Sequence, residues 1–460
     1  MTDPVPTYAV IGAGPSGLAA ARNLQRYGLP WTGYELGDDV GGLWDIAAPR
    51  STVYESAHLI SSRTTTEFTE HPMPPGTPDY PAHHHLLAYF RSFADRFGLR
   101  EHYRFGTEVT SVEPLTGADG RTTWRVCSSA PDGTVREQVH AGVVVANGTL
   151  SEPNLPTYEG YFDGEILHTA AYKRPEIFTG KRVLVVGAGN SGCDIVVDAV
   201  HHAASVDISV RRGYHFVPKY LFGRPSDTLN QGRPLPARVK QAVDSRLLRM
   251  FTGDPTRFGF PEPDHRLYES HPIVNSLILH HLGHGDATVR PDIERLDGDG
   301  VVFRDGSRHA YDMIVLATGY RLHYPFLDRE LLAWPEGAGA PELYLQIVSP
   351  AADGLFVVGM VEATGLGWQG RYEQAELVAA YLAARTREGA GAPDAGGSRD
   401  GTGPRERAAA MTARVHDRDS WPDLTGGYRY LGLDRMAYYV NKDTYRRAVR
   451  AQIAELGVTP

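Results

Sequence analysis

The feature that most constrains how this chain can fold is a glycine pattern that occurs twice, each time between a short apolar run and a helical pattern. The first glycine of such a turn permits a tight bend, the second lets a pyrophosphate approach the backbone, and the third lets the helix pack against the strand. The helix N-terminus offers N–H groups and partial positive charge to the phosphates. The pattern therefore predicts two dinucleotide-binding units. The turns consist of Gly12, Gly14, Pro15, Ser16 and Gly17, and of Gly187, Gly189, Asn190, Ser191 and Gly192.

The side chain that comes after the next apolar strand differs between the two units. Glu35 lies about 20 residues after the first turn, where an acid accepts hydrogen bonds from a ribose 2′-hydroxyl. Arg211 and Arg212 take the matching place after the second turn. Guanidinium groups bind a 2′-phosphate, which a carboxylate would repel. The first unit is predicted to take a nucleotide with a free ribose diol, and the second NADPH.

Later segments indicate that the chain returns to its first unit. Apolar strands are predicted at 313–317 and 356–358, and a helix at 372–384. We expect an α/β fold with two dinucleotide-binding (Rossmann-like) domains, the NADPH domain being inserted into the other. The expected domains are 1–175, 176–318 with a partly helical insertion at about 220–285, and 319–460 with C-terminal helices. The Gly- and Ala-rich stretch 385–407 is predicted to be a flexible surface loop.

Composition and charge exclude several classes of protein. A net charge of -9 argues against broad binding to a nucleic-acid backbone, which needs a basic face. The two cysteines, Cys127 and Cys193, form neither a C-x-x-C pair nor a disulfide framework. No run of 18 apolar residues and no signal peptide is apparent. We expect a cytoplasmic protein without membrane or nucleic-acid partners.

Two histidine-rich stretches raise the question of a metal site. One runs from His83 to His85, and in the other His280 and His284 are spaced to share one helix face. Neither stretch has a nearby acid or cysteine to complete a ligand set. Solvated or capping histidines are therefore expected, and no metal.

A second motif, F-x-G-x-x-x-H-x-x-x-Y, lies just before the second glycine turn. It places Phe162, Gly164, His168 and Tyr172 at fixed intervals. The residues alone predict only a loop between domains, with a glycine turn anchored by aromatic side chains.

The order of these motifs resembles that of the flavin-containing monooxygenases. A glycine turn with Glu35 is followed by G-G-L-W, by the F-x-G-x-x-x-H-x-x-x-Y stretch, by a second glycine turn with arginines, and by A-T-G-Y. The resemblance implies FAD in the first unit and NADPH in the second, with His168 helping to hold the nicotinamide over the flavin. It adds cofactor contacts at Gly42, Leu43, Trp44, Thr318, Gly319 and Gln374.

The resemblance also implies a reaction. One oxygen atom of dioxygen passes through a C4a-hydroperoxyflavin to a soft nucleophile, an amine nitrogen or a sulfide, of a small-molecule substrate. A Baeyer–Villiger enzyme acting on a ketone is one alternative, but members of that branch usually continue the motif with Trp-Pro, whereas here Tyr172 precedes Lys173 and Arg174. The sequence does not name the substrate, and a homodimer is an expectation only.

One departure from the family supports a second alternative, an NADPH oxidase that releases hydrogen peroxide. Where the family commonly has an Asn beside the flavin, this chain has Ile60, which offers no side-chain hydrogen bond. We hypothesise that Ser61, Ser62 or Arg63, together with retained NADP+, replaces that Asn. These three residues and His168 are the candidate catalytic residues.

Overall fold

The computed structural model describes residues 7–118, 120–230, 235–386 and 402–460. Its strands are numbered here along the chain. They are β1 (Tyr8–Ile11), β2 (Trp31–Tyr34), β3 (Tyr103–Arg104), β4 (Glu108–Thr116), β5 (Thr122–Ser129), β6 (Val135–His140), β7 (Gly142–Val145), β8 (Glu152–Pro153), β9 (Glu165–His168), β10 (Arg182–Val186), β11 (Ser205–Ser209), β12 (Tyr220–Leu221), β13 (Arg224–Pro225), β14 (Thr288–Arg290), β15 (Ile293–Asp297), β16 (Gly300–Phe303), β17 (Arg308–Ala310), β18 (Met313–Leu316), β19 (Tyr320–Arg321) and β20 (Leu355–Val357).

The helices lie between and after these strands. They are α1 (Pro15–Arg26), α2 (Arg63–Thr66), α3 (His83–Arg96), α4 (Asn190–Ala199), α5 (Ala237–Thr252), α6 (Leu277–His284), α7 (Gly367–Thr386), α8 (Pro404–His416) and α9 (Lys442–Leu456). Among the described residues, no helix is both long and apolar enough to span a membrane.

The first sheet is parallel and contains strands from distant parts of the chain, in the order β20-β7-β1-β2-β3. Strand β1 lies at its centre and pairs with β2 and β7. The last strand to join, β20, pairs with β7 in the register Leu355 to Val143. Every residue of β1, β7 and β20 is buried, which explains their unbroken apolar sequences. Along the chain, the last strand of the first sheet, β20, therefore comes after every strand of the second sheet.

The second sheet is also parallel and has the order β14-β11-β10-β18-β9. Strand β10 is central, and β18 lies between it and the edge strand β9. The α/β fold with two dinucleotide-binding domains, one inserted into the other, is confirmed. The expected division at 175 and 318 stays a proposal, and β9 shows that the second sheet takes an edge strand from before residue 175.

The segment at about 220–285 contains helices α5 and α6 and the hairpin β12–β13, so it is partly helical as expected. The stretch 385–407 differs in part from the expected loop. Helix α7 continues to Thr386, and α8 already begins at Pro404. Residues 387–401 of that stretch lie outside the described residues.

Candidate functional site

The first glycine turn lies so close to neighbouring backbone that its first and third glycines have no room for a side chain. Gly12 has a φ of +107°, and a Cβ there would lie 2.6 Å from the Ala146 carbonyl oxygen. A Cβ on Gly17 would collide with the Gly12 carbonyl. The Cβ position of Gly14 lies 3.5 Å from Gly42 Cα, so the turn faces the G-G-L-W segment. Helix α1 begins at Pro15 without a side-chain cap, which leaves N–H groups of its first turn for a ligand.

Glu35 is directed at this turn from the end of β2. Its Oε2 accepts a hydrogen bond from the Ala13 N–H at 2.5 Å, and its Oε1 accepts from the Gly37 N–H at 2.7 Å. Burial raises the pKa of the Glu35 carboxyl, and these two amides oppose the rise. Each oxygen keeps acceptor capacity for a ribose hydroxyl. The cradle, the uncapped helix and this carboxylate together fit the adenosine diphosphate part of FAD.

The other residues expected around this cofactor take two different positions. Gly42, Leu43 and Trp44 form a short 3-10 helix, and the Trp44 ring lies 6.1 Å from the Trp368 ring at the start of α7. Gln374 is fully buried; it accepts a hydrogen bond from the Gly359 N–H at 2.9 Å and donates one to the Tyr445 hydroxyl. Gly359 thus contacts Gln374 directly, and the cofactor contact expected for Gln374 stays a prediction.

Gly359 is a residue that sequence reasoning missed. It follows β20 with a φ of +104°, and a Cβ there would collide with the Ser16 hydroxyl at the start of α1. A glycine directly after a buried strand was the available signal. Gln374 thus helps to hold the Gly359 turn against Ser16.

The second glycine turn repeats the geometry of the first. Gly187 has a φ of +101°, and its Cβ would lie 2.6 Å from the Ala317 carbonyl oxygen. A Cβ on Gly192 would collide with the Gly187 carbonyl, whereas the Cβ position of Gly189 has open space around it. Ser191 lies in the first turn of α4, which also lacks a side-chain cap. This arrangement leaves space and N–H groups for the phosphates of NADPH.

Asn190 has a partner that the sequence did not indicate. Its Oδ1 accepts a hydrogen bond from the Val274 N–H at 2.7 Å, and its Nδ2 lies 3.4 Å from the Pro272 carbonyl oxygen. The side chain therefore attaches the segment before α6 to the start of α4. Asn190 helps to build one wall of the nucleotide site.

Arg211 and Arg212 come directly after β11 and Val210. Arg211 is exposed, and Arg212 is half-buried with its guanidinium 5.4 Å from the Tyr214 ring centre. Across the part of the chain that the structure describes, no carboxylate lies within ion-pairing distance of either guanidinium. Counted from the third glycine of each turn, Val210 takes the place of Glu35. The replacement of the acid by Val210 and the presence of two guanidinium groups both favour a phosphorylated ribose.

A half-buried acid and a half-buried base lie beside the second turn. The Asp194 carboxylate on α4 accepts hydrogen bonds from the Tyr54 hydroxyl at 3.0 Å and from Asn275 Nδ2 at 2.6 Å. Burial raises the pKa of Asp194 and lowers that of Lys219, and the charge of each opposes the shift of the other. Lys219 Nζ lies 5.1 Å from the centre of the Tyr80 ring. Sequence reasoning missed this pair, although an acid within the apolar pattern of α4 was a signal for it.

His168 of the second motif is bonded to the backbone through both ring nitrogens. Its Nδ1 accepts from the Ala170 N–H at 3.0 Å, so Nε2 carries the proton and donates to the Gly319 carbonyl at 3.2 Å. Burial lowers the pKa of His168. The Thr318 hydroxyl donates to the Asn154 carbonyl at 2.6 Å. His168 therefore attaches the end of β9 to the A-T-G turn, and no free ring nitrogen remains for a cofactor.

The two ends of the same motif are anchored differently. Phe162 forms a bridge with Gly298, and a Cβ on Gly164 would lie 2.5 Å from the Asp312 carbonyl oxygen. Tyr172 is fully buried and donates its hydroxyl proton to Asp198 of α4 at 2.7 Å. Ser56 of the first domain donates to the same carboxylate oxygen. The motif therefore connects the two domains.

The segment that carries Ile60 turns into the short helix α2. The Ser62 hydroxyl donates to Asp227 Oδ2 at 3.0 Å. Thr66 donates its proton to the Ser62 carbonyl at 2.8 Å, so the Ser61 hydroxyl, 2.7 Å from the Thr66 oxygen, is the donor in that pair. Neither serine keeps a proton for another acceptor, contrary to the hypothesis from the sequence.

Arg63 is the third candidate of that segment. Its Nε is buried and has no hydrogen-bond partner among the residues that the structure describes. An orphaned buried donor is uncommon, and it is expected where a ligand supplies the acceptor. Arg63 is therefore the candidate whose donor remains available.

The histidine-rich stretches differ in their partners, since the buried Nδ1 of His83 has no hydrogen-bond partner among the described residues. Helix α3 begins at His83, and His281 Nδ1 lies 2.9 Å from Asp286 Oδ2. Within the described ranges, no group of three or more His, Cys, Asp or Glu side chains is placed to hold a metal ion.

Comparison with known proteins places these features in a family. The family model described as flavin-binding monooxygenase-like matches residues 6–383. The chain is 30% identical over 383 residues to flavin-containing monooxygenase 5 of Oryctolagus cuniculus, covering 78% of this chain and 69% of the relative. It is 32% identical over 342 residues to dimethylaniline monooxygenase (N-oxide-forming) 2 of Pan troglodytes, covering 70% of this chain and 63% of the relative.

A solved structure shows the same fold over nearly the whole chain. Cyclohexanone monooxygenase from Rhodococcus sp. Phi1 bound to NADP+ superposes with a TM-score of 0.67, at 22% sequence identity, over 98% of each chain. At this identity, the likeness is one of fold. Both glycine turns lie within the superposed architecture.

Proposed function

The chain belongs to the flavin-binding monooxygenase-like family and is an FAD- and NADPH-dependent monooxygenase, and on this premise we propose that it oxygenates an amine nitrogen or a sulfide of a small molecule. When bound, FAD accepts a hydride from NADPH and activates dioxygen. One oxygen atom enters the substrate and the other leaves as water. The residues of this chain hold the two nucleotides, exclude water and supply hydrogen bonds.

The observation that supports this substrate class is the place of Lys173, directly after the F-x-G-x-x-x-H-x-x-x-Y motif. Its Nζ donates to the carbonyls of Ser51 and Val53 at 2.7 and 2.9 Å. Ketone-oxidising members usually have Trp-Pro at this place. This chain has instead a lysine whose ammonium group donates hydrogen bonds to backbone carbonyls. The N-oxide-forming relative supports the same choice.

The proposed roles of the site residues are based on their geometry. Glu35 and the first glycine turn hold FAD, and the second turn with Arg211 and Arg212 holds NADPH. Arg63 supplies the donor that Ile60 lacks. His168 acts as a positioning residue between β9 and Gly319.

Product analysis under labelled dioxygen tests the proposal. Purified protein with FAD and NADPH is supplied with an aryl methyl sulfide, a tertiary amine or a cyclic ketone under ¹⁸O₂. We expect a sulfoxide or N-oxide that carries one labelled atom for each NADPH consumed. Lactone formation from the ketone alone would establish the Baeyer–Villiger alternative. Release of all reducing equivalents as hydrogen peroxide would establish the oxidase alternative, which Ile60 favours.

Two expectations from the sequence stay proposals. The protein is proposed to be cytoplasmic and to form a homodimer. Light scattering coupled to size-exclusion chromatography measures the mass of the particle directly, and a value near the 50.4 kDa of one chain would contradict the homodimer.

A further inference from the structure

One carboxylate of the 220–285 insertion is bonded to the oxygenation turn, residues 61–66. Asp227 Oδ2 accepts hydrogen bonds from the Ser62 N–H at 2.7 Å, the Ser62 hydroxyl at 3.0 Å and the Thr65 hydroxyl at 2.6 Å. Ser62 directly precedes the four-residue helix α2, and Thr65 lies within it. Asp227 therefore holds, from the other domain, a helix too short to be stable alone.

The start of the hairpin β12–β13, which comes just before Asp227, is attached to the same region at two further points. The Tyr80 hydroxyl donates to the Lys219 carbonyl, and the Tyr220 hydroxyl donates to Asp79 Oδ2 at 3.2 Å. The rings of Tyr80 and Tyr220 are in edge contact at 5.4 Å. The insertion thus lies firmly against residues 79–80 as well as against the oxygenation turn.

The opposite side of the oxygenation turn faces the FAD domain. A Cβ on Gly367, the first residue of α7, would collide with the Thr65 carbonyl, and Thr69 N–H donates to Gln369 at 2.9 Å. Trp368, between these residues, contacts Trp44 of G-G-L-W. The turn therefore lies between the cofactor segment and the insertion.

Two buried polar atoms at this place have no partner among the described residues, Arg63 Nε and Asp227 Oδ1. Since the serine protons are committed, the direction of the Arg63 side chain depends on the backbone of its turn. That backbone is held at two adjacent amides, by Asp227 through the Ser62 N–H and by the Asp79 carbonyl through the Arg63 N–H at 2.8 Å. The Asp227 carboxylate thereby helps to set the position of the Arg63 donor.

We propose that Asp227 is a positioning residue for oxygen transfer, through which the insertion of the NADPH domain fixes the oxygenation turn and orients Arg63. This inference rests on the proposed function. It assigns a role to the 220–285 insertion and predicts that Asp227 affects the use of activated oxygen and leaves the transfer of hydride unchanged.

The test compares Asp227→Asn with Asp254→Asn. Asp254 lies in the same insertion and accepts hydrogen bonds from the Thr256 N–H and hydroxyl, so the control removes an equal charge from a similar hydrogen-bond acceptor away from the oxygenation turn. Three quantities are measured on the holoenzyme: hydrogen–deuterium exchange of the peptide spanning 61–66, the anaerobic rate of flavin reduction by NADPH, and product formed per NADPH consumed.

We expect Asp227→Asn to speed exchange at 61–66 by about tenfold, because a bond to a charged acceptor is lost. Product per NADPH should fall at least twofold, with a matching rise in peroxide, while FAD content and the reduction rate stay as in Asp254→Asn. Thr65→Val removes one donor and should give a smaller effect in the same direction. This variant replaces Asp227→Asn as the test if Asp227→Asn does not fold.

Different failures have different meanings. Normal exchange or normal product per NADPH in Asp227→Asn and Thr65→Val would overturn the inference, while the unmodified enzyme still forms oxygenated product. If the unmodified enzyme releases only peroxide, the proposed function fails instead, and the exchange measurement still reports whether Asp227 holds the turn.

Discussion

At the scale of single residues, the two nucleotide sites differ in the side chains at the end of their second strand. Glu35 lies half-buried against the first glycine turn, whereas Val210 occupies the corresponding place in the second, and the arginines come directly after it. A carboxylate at this place selects a ribose diol, and a pair of guanidinium groups selects a phosphate. One backbone geometry therefore serves two different nucleotides.

This contrast predicts the cofactor preference of variants. Changing Arg211 and Arg212 together to Gln should raise the KM for NADPH by about tenfold to hundredfold, because a charge-assisted bond to phosphate contributes about 1.5–3 kcal/mol. The KM for NADH should stay nearly unchanged, since NADH has no 2′-phosphate. Steady-state kinetics with both nucleotides measure this, with Arg295→Gln, an exposed residue of the same domain, as control. An equal rise for both nucleotides would show that the pair acts on folding and not on the phosphate.

At the scale of elements, helix α4 has two roles. Its N-terminus faces the nucleotide site, and one and two turns further Asp194 and Asp198 accept hydrogen bonds from hydroxyls of the first domain and of the motif. Tyr172 is fully buried with its ring stacked on Phe178, and the Asp198 carboxylate that accepts from it is half-buried. The connection between domains thus depends on half-buried carboxylates.

Tyr172→Phe tests this connection, because it removes one hydroxyl and keeps the ring. The Asp198 carboxylate would lose one of its donors while staying partly buried, so the free energy of unfolding should fall by about 1–3 kcal/mol. Urea denaturation followed by far-UV circular dichroism measures the change. Tyr161→Phe, at an exposed position, should change it by less than about 0.5 kcal/mol. Equal stability of the two variants would mean that the ring alone anchors the motif.

At the scale of the whole molecule, a buried histidine links the N-terminal segment to two sheets. His140 at the end of β6 contacts the Thr7 hydroxyl through Nδ1 at 2.9 Å and the Tyr34 hydroxyl through Nε2 at 2.8 Å. Burial lowers the pKa of His140 to about 4. The folded protein therefore holds a neutral ring that the unfolded chain would protonate near pH 6.5.

The stability of the molecule should accordingly depend on pH in a defined direction. Because the folded pKa of His140 is lowered, its contribution is constant above about pH 7 and is lost as the pH falls from 6.5 towards 4, by about 2 kcal/mol at pH 5. His140→Gln cannot titrate and should lose correspondingly less between pH 7 and pH 5. Urea denaturation of both proteins at the two pH values gives the difference, which cancels the titration of other groups. A zero difference would place the His140 pKa near its ordinary value.

The sequence by itself determined the features of this protein that depend on residues close together along the chain. The first and third glycines of each turn need a fixed spacing because a Cβ at Gly17 or Gly192 meets the carbonyl of Gly12 or Gly187 within the same strand–turn–helix unit. Strand β10 lies where the apolar run predicted it, and helix α1 begins three residues earlier than its apolar pattern, because Pro15 suits the first position of a helix. Chain order then indicated which domain is inserted.

Only the tertiary structure decided which polar side chains still have hydrogen-bonding capacity for a ligand. Ser62 and Asp227 are 165 positions apart, and the partners of Asn190 are more than 80 positions away. No local pattern specifies such pairs, because a hydroxyl or carboxylate has the same sequence signature whether its bonding capacity is used or free. The fold commits the protons of Ser62 and His168 to distant parts of the chain, while that of Ser61 goes to nearby Thr66. It leaves the Nε of Arg63 buried without a partner among the described residues, and an unsatisfied donor costs more free energy when it is buried.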